Sequence, residues 1–274
     1  MTVCIAAITS DNLIVTIADK KLSTGMFSSD SSVVKSRGFH KEWAAMIAGD
    51  DVSHALPIVR RASANFSELR ENRLENAMQA FKDAYKQELS GHAADLVLGR
   101  FNLTMNQFLE KGCKRFTPDV FDALCDRIAR IDLKCTFLVV GSDKWELPHI
   151  FTVANPGVAE TFDLPGFWSI GSGSQSALGM LFFRGQNKRL SLAETVYNCF
   201  EAKFMSESAT GVGKDTYFFV QKHGCNTCSS PVTLESRIRE IWERSGQPRV
   251  PKKALKVIEG SNIICSNSEN ESKL

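Results

Sequence analysis

Two apolar runs, residues 3–8 and 13–18, follow one another across Thr9-Ser10-Asp11-Asn12, and Thr16 is the one polar side chain within them. Successive side chains of a strand point to opposite faces. A strand apolar at nearly every position must therefore be covered on both sides. The linking residues have turn chemistry, so the pair reads as a hairpin. Residues 43–48 form a third such run, stopped by Gly49-Asp50-Asp51, and residues 135–140 and 149–154 form two more. Strands of this kind need layers above and below their sheets.

Helical spacing supplies candidates for those layers. Leu74, Ala77, Phe81, Ala84 and Tyr85 share one face of a helix. Thr117-Pro118-Asp119 predicts a helix start, with Thr as N-cap and Pro at the first position; Phe121, Leu124, Cys125 and Ile128 continue it. Residues 174–183 and 191–205 read as two further helices, the second opened by a capping box, Ser191 to Glu194. Residues 216–221 predict a strand and 233–244 a helix with Leu234, Ile238, Ile241 and Trp242 on one side. Residues 162–170 carry mixed strand character, 23–32 read as a loop, and the pattern over 90–112 is weak. Strands and helices come in separate runs, which predicts an α+β arrangement of packed layers instead of alternating βαβ units. The last eight residues, "NSENESKL", have a composition expected to be disordered.

A formal net charge of +2 gives no pull toward nucleic acid or an anionic membrane. No apolar run approaches the roughly 18 residues of a membrane span, and the first residues lack the basic and apolar regions of a secretory signal. The 8 cysteines are scattered, which fits reduced thiols in a cytoplasmic protein.

The second residue carries chemistry of its own. Removal of Met1 would leave Thr2 with a free α-amine, whose pKa of about 7.7–8.0 lies far closer to neutrality than a lysine's. Such an amine can take the proton of its own Oγ and so activate it without a histidine. A Met-Thr start is common, however, and by itself is an ordinary chain end.

The stretches "TVCIAAITSDNLIVTIADKK", "VVKSRGF…WAAMIAGD", "SIGSGSQSALGMLF" and "LSLAETVYNCFEAKFMSESATGVGKDTYFFV" occur in this order. In this the chain resembles the proteasome β-subunit family of N-terminal nucleophile hydrolases, over residues 2–51 and 135–221. The resemblance implies a four-layer αββα sandwich spanning residues 2–247. The helical region of about 52–134 is longer than that family needs, and a C-terminal extension covers 248–274. It also implies a threonine-type peptidase that needs no cofactor and works inside a ring of identical subunits on polypeptide substrates. An ATP-dependent unfoldase is compatible with it as a partner.

Carried over position by position, Thr2 matches the nucleophile, Asp19 the acid that pairs with the essential lysine, and Lys35 that lysine. Lys35 is preferred over Lys20, Lys21 and Lys41 because its spacing to Ala48-Gly49 fits the pattern. Gly49 matches the glycine whose amide serves as oxyanion donor, and Ser172 a serine bonded to the amino terminus. Glu207 and Thr210 match an acid–serine pair near the same amine. Where this chain has Glu207 and Thr210 the family usually has Asp and Ser; the longer arm of Glu matters in a site that tolerates about 0.5 Å. The first strand is also one residue longer before its acid.

Each residue has a plainer reading: Lys35 as a solvated loop lysine, Asp19 as a strand-end charge, "GSGS" as a helix-start turn. Two functional alternatives stand beside the peptidase, a proteasome-like shell subunit without chemistry and a small-molecule amidase of the same fold. "GVGKD" at 211–215 lacks the spacing and the Ser or Thr of a phosphate loop. "HGCNTC" at 223–228 offers His223, Cys225 and Cys228 but no fourth zinc ligand at the usual spacing, and reads as a turn. His40, His54, His92 and His149 show no triad pattern.

Overall fold

The computed structural model describes residues 2–24, 27–29, 35–229 and 232–246, with backbone alone over 22–24, 27–29, 225–229 and 232–233. The opening hairpin is β1 (Cys4–Ile8) and β2 (Ile14–Asp19), antiparallel, with Cys4 opposite Ala18. Leu22–Thr24 (β3) and Phe27–Ser29 (β4) pair antiparallel as a small separate sheet, largely within the 23–32 segment expected to be a loop. Ser36–His40 (β5) and Trp43–Gly49 (β6) pair next, followed by helices α1 (Ala55–Glu68) and α2 (Leu74–Ala93). A wide helical turn over Ala94–Leu98 leads to α3 (Met105–Arg115) and α4 (Pro118–Ala129). Then come β7 (Cys135–Ser142), β8 (Pro148–Ala154), β9 (Val158–Thr161) and β10 (Phe167–Ile170). Then follow α5 (Ser174–Phe183), α6 (Leu192–Ser206), β11 (Thr216–Lys222), β12 (Cys225–Ser229) and α7 (Val232–Ile241), and the described chain closes with a wide helical turn over Trp242–Gly246.

Two five-stranded antiparallel sheets result, ordered β10-β1-β2-β11-β12 and β5-β6-β7-β8-β9. Period-2 alternation divides β1, β2, β6, β7 and β8 between two cores. Cys4, Ala6 and Ile8 of β1 meet Met46, Ala48, Leu138, Val140 and Ile150 of the other sheet, so one core lies between the sheets. Val3, Ile5 and Ala7 face the other way and pack with Leu181, Cys199, Phe200 and Phe204 of α5 and α6. On the far side of the second sheet, Trp43, Ala45, Phe137, Val139, Phe151 and Val153 pack with Phe66, Phe81 and Tyr85 of α1 and α2. The apolar runs of β1, β2, β6, β7 and β8 are two-faced because each has a core on either side. The protein is thus an α+β sandwich of two antiparallel sheets with helices on both outer faces.

Three features depart from the sequence reading. Helix α1 places Ala55, Ile58, Val59, Ala62 and Phe66 in the core at helical spacing; Pro57 falls in its first turn, where the missing N–H has no intrahelical acceptor to lose. Thr117 precedes α4 with Pro118 at the first position, but its hydroxyl makes no cap hydrogen bond. Beyond the Gly224 turn, where a turn was expected, the backbone runs back along β11 as β12. The region 94–131 is not spread over the sandwich. Val97, Leu98, Phe108 and Leu124 form a small core of their own, joined by Phe116, Phe121 and Ile128. The C-terminal extension and "NSENESKL" lie outside the described residues.

Candidate active site

Register brings one end of both sheets together. Since Cys4 faces Ala18, one step back puts Val3 beside Asp19, whose amide donates to the Val3 carbonyl at 3.2 Å. On the other edge of β1, Cys4 faces Ile170, and two further steps set Ser172 beside Thr2. Thr216 faces Asp19 across β2 and β11, so residues 213–215 arrive at the same place. The second sheet contributes Lys35: its carbonyl accepts from Ile47 N at 3.0 Å, which carries the strand pairing of β5 one residue outward. The side chain then crosses the gap between the sheets.

There Thr2, Asp19 and Lys35 meet, all buried. The Thr2 hydroxyl donates to Asp19 Oδ1 and accepts from Lys35 Nζ. Lys35 Nζ also lies 2.8 Å from Asp19 Oδ1. The carboxylate is held on every side: Val3 N donates to Oδ1 at 2.9 Å, and Gly213 N and Lys21 N donate to Oδ2 at 3.1 and 3.2 Å. Asp19 at 0% exposure and Lys35 at 8% are no strand-end or loop charges open to water. Lys20 instead lies over the Tyr217 ring, and Lys41 is exposed. A charge pair shielded in this way acts on a neighbouring hydroxyl more strongly than it could in water.

The Gly171-Ser172-Gly173 turn wraps the Thr2 backbone. Gly173 N donates to the Thr2 carbonyl at 3.2 Å, and a Cβ on Gly171 (φ 97°) would stand 2.3 Å from that same oxygen. Only glycine admits this approach. The Ser172 hydroxyl lies 3.1 Å from the Thr210 carbonyl and 3.4 Å from the Thr2 carbonyl. It therefore reaches the Thr2 backbone on its carbonyl side. Thr210 takes part through its main chain, and its side chain is exposed. Gly49 ends β6 two residues past Ile47; a Cβ there would meet the Lys134 carbonyl oxygen at 2.1 Å.

Glu207 is placed differently from the sequence expectation. At the end of α6 it pairs with Lys203 Nζ at 2.5 Å and takes both Arg239 guanidinium nitrogens at 2.6 and 2.9 Å. Its carboxylate is thus engaged by Lys203 of α6 and Arg239 of α7. Cys4, directly behind Thr2, could compete as a nucleophile. Burial pushes its thiol up to about 12, so it stays protonated at neutral pH, and a thiol is a poor nucleophile.

Sequence reasoning missed the Gly213 amide, the Gly171 approach and Lys203. The last had a signal: Thr195, Asn198, Cys199, Ala202, Lys203 and Ser206 are all buried on α6, and their spacing puts the lysine on the inward stripe. Among the described residues no group of His, Cys, Asp and Glu could hold a metal ion; the side chains of Cys225 and Cys228 lie outside them. No described helix is long and apolar enough to cross a membrane. No protein-family model matches the chain, and no curated protein matches it either.

Proposed function

We propose that this chain is a threonine-type endopeptidase of the proteasome β-subunit-like class of N-terminal nucleophile hydrolases. The observation that carries the reading is the closure of the Lys35 ammonium and the Asp19 carboxylate on the Thr2 hydroxyl. Support also comes from the sandwich, whose two sheets and outer helices agree with an αββα fold, and from the resemblance of the ordered segments.

As encoded, the Thr2 nitrogen is an amide and cannot act as a base. Once Met1 is removed, the α-amine takes the Oγ proton while Oγ bonds to the scissile carbonyl carbon. Lys35 stabilises the developing negative charge at Oγ, and Asp19 keeps that ammonium aimed. The Gly49 amide is assigned to the carbonyl oxygen. The protonated amine then gives its proton to the leaving nitrogen, the C–N bond breaks, and an ester remains on Thr2. Water hydrolyses the ester, releasing a carboxylic acid and restoring the hydroxyl. The reaction takes place in the cytoplasm, inside a ring of identical subunits. Phe182 and Phe183 of α5, 62% and 70% exposed, are apolar surface of the kind such contacts cover.

Protein purified from its native cell is expected to weigh one methionine less than the encoded chain, with Thr2 unblocked. Retained Met1, or an acetylated Thr2, measured by intact mass, would remove the base and with it this reading.

A further inference from the structure

Lys203 is fully buried, at 0% exposure, in the last turn of α6, a helix that packs Cys199, Phe200, Ala202 and Phe204 into an apolar core. Burying an ammonium is costly unless it is paired and hydrogen-bonded, so its partners say what it is for. It donates to the Lys214 carbonyl and to Glu207 Oε1 at 2.5 Å, with Glu235 Oε1 at 3.9 Å. Arg239 Nη2 reaches the same Lys214 carbonyl at 3.3 Å while holding Glu207. Two cations from different helices thus converge on one peptide oxygen. Beside it, Thr216 Oγ1 donates to Glu235 Oε1 at 2.6 Å.

The inner side of this segment faces the catalytic carboxylate. Gly213 N donates to Asp19 Oδ2 at 3.1 Å, and Lys20 N donates to the Asp215 carbonyl at 2.9 Å. Asp19 Oδ1 serves Thr2, Val3 and Lys35, whereas Oδ2 has the Gly213 and Lys21 amides. Loss of the Gly213 amide would leave Oδ2 with one local donor and free the carboxylate to rotate, carrying Oδ1 away from Lys35.

We propose that Lys203 is a positioning residue for Asp19: with Arg239 it fixes the Lys214 carbonyl, and the 213–215 segment so held aims the Gly213 amide at the carboxylate. Its catalytic consequence rests on the Thr2 reading above; its structural link does not. Glu207 belongs to this brace.

The test compares the full chain with Lys203→Met, which keeps the side chain's length and leaves Glu207 paired to Arg239. Amide exchange is followed by NMR, and hydrolysis of a fluorogenic peptide by kcat and KM. The Gly213 amide should exchange at least about ten-fold faster while amides of the β5–β9 sheet keep their rates. Peptide hydrolysis should lose about 10- to 100-fold in kcat with KM within about two-fold, since small misplacement of reacting groups has effects of that order. If Lys203→Met does not fold, Arg239→Met, which removes the less buried cation, is held to the same two readouts. Unchanged Gly213 exchange in a folded variant overturns the proposal, as does faster exchange with unchanged kcat. Should the wild-type chain show no Thr2-dependent hydrolysis, it is the peptidase reading that fails, and Gly213 exchange alone then decides the Lys203 link.

Discussion

Replacing Lys35 with Ala is expected to lower kcat/KM for peptide hydrolysis by about 10³-fold or more, while Lys41→Ala leaves it unchanged. A preorganised donor at a developing charge accounts for about 10²–10³ in rate, and this variant does more than delete one. Asp19 is 0% exposed and has Lys35 as its only cation within salt-bridge distance among the described residues. Without the ammonium, a buried carboxylate would sit uncompensated against the Thr2 hydroxyl and oppose negative charge on Oγ. Lys41 is exposed beyond β5 and touches none of these groups. Both variants can be assayed on one fluorogenic peptide beside the wild-type chain. Equal rates for the two would mean that the site lysine has been misplaced.

The second large effect is on stability. Phe81 of α2 is fully buried, with ring centroids of Phe39, Phe137 and Phe151 at 5.0, 5.3 and 6.4 Å. It is the side chain that joins the helical layer to three strands of the second sheet. Its helical neighbours on that face, Ala77, Ala80 and Ala84, are too short to fill the space it would leave. Phe81→Ala should therefore destabilise by about 3–5 kcal/mol in urea unfolding. Ile241→Ala, at a position 58% exposed, should stay within about 0.5 kcal/mol. A loss below about 1 kcal/mol at Phe81 would mean that α2 is not packed as described.

The strands of the two sheets were legible where burial on both faces left an unbroken apolar run, as in β1, β2, β6 and β7. The edge strands β5 and β9 were not. In β9, Val158 and Glu160 are exposed, so no alternation marks it, and β5 carries Ser36, Arg37 and His40 for the same reason. Capping chemistry was readable at Ser191, whose box has both of its hydrogen bonds. The same signature at Thr104 and Gln107 starts α3, but it lay unread within a segment of weak periodicity. At the site, Thr2, Asp19 and Lys35 could be named from the order of the segments, because register then brings them together. The orientation of Glu207 could not. It is set by Arg239, thirty-two residues on, and a helix-to-helix ion pair leaves no local pattern. Backbone amides such as that of Gly213 have no sequence signature at all.

The claim at the centre of this account is that Thr2 is the nucleophile and its own amine the base. A peptide epoxyketone tests both at once, since stable capture needs a hydroxyl to add to the ketone and an adjacent amine to open the epoxide. The processed protein, incubated with such a reagent, digested and analysed by tandem mass spectrometry, should carry one whole reagent per chain on Thr2 itself, located by fragmentation, and Lys35→Ala should label far more slowly. An unlabelled amino-terminal peptide, or label found on Cys4 or the exposed Cys113 instead, would contradict it.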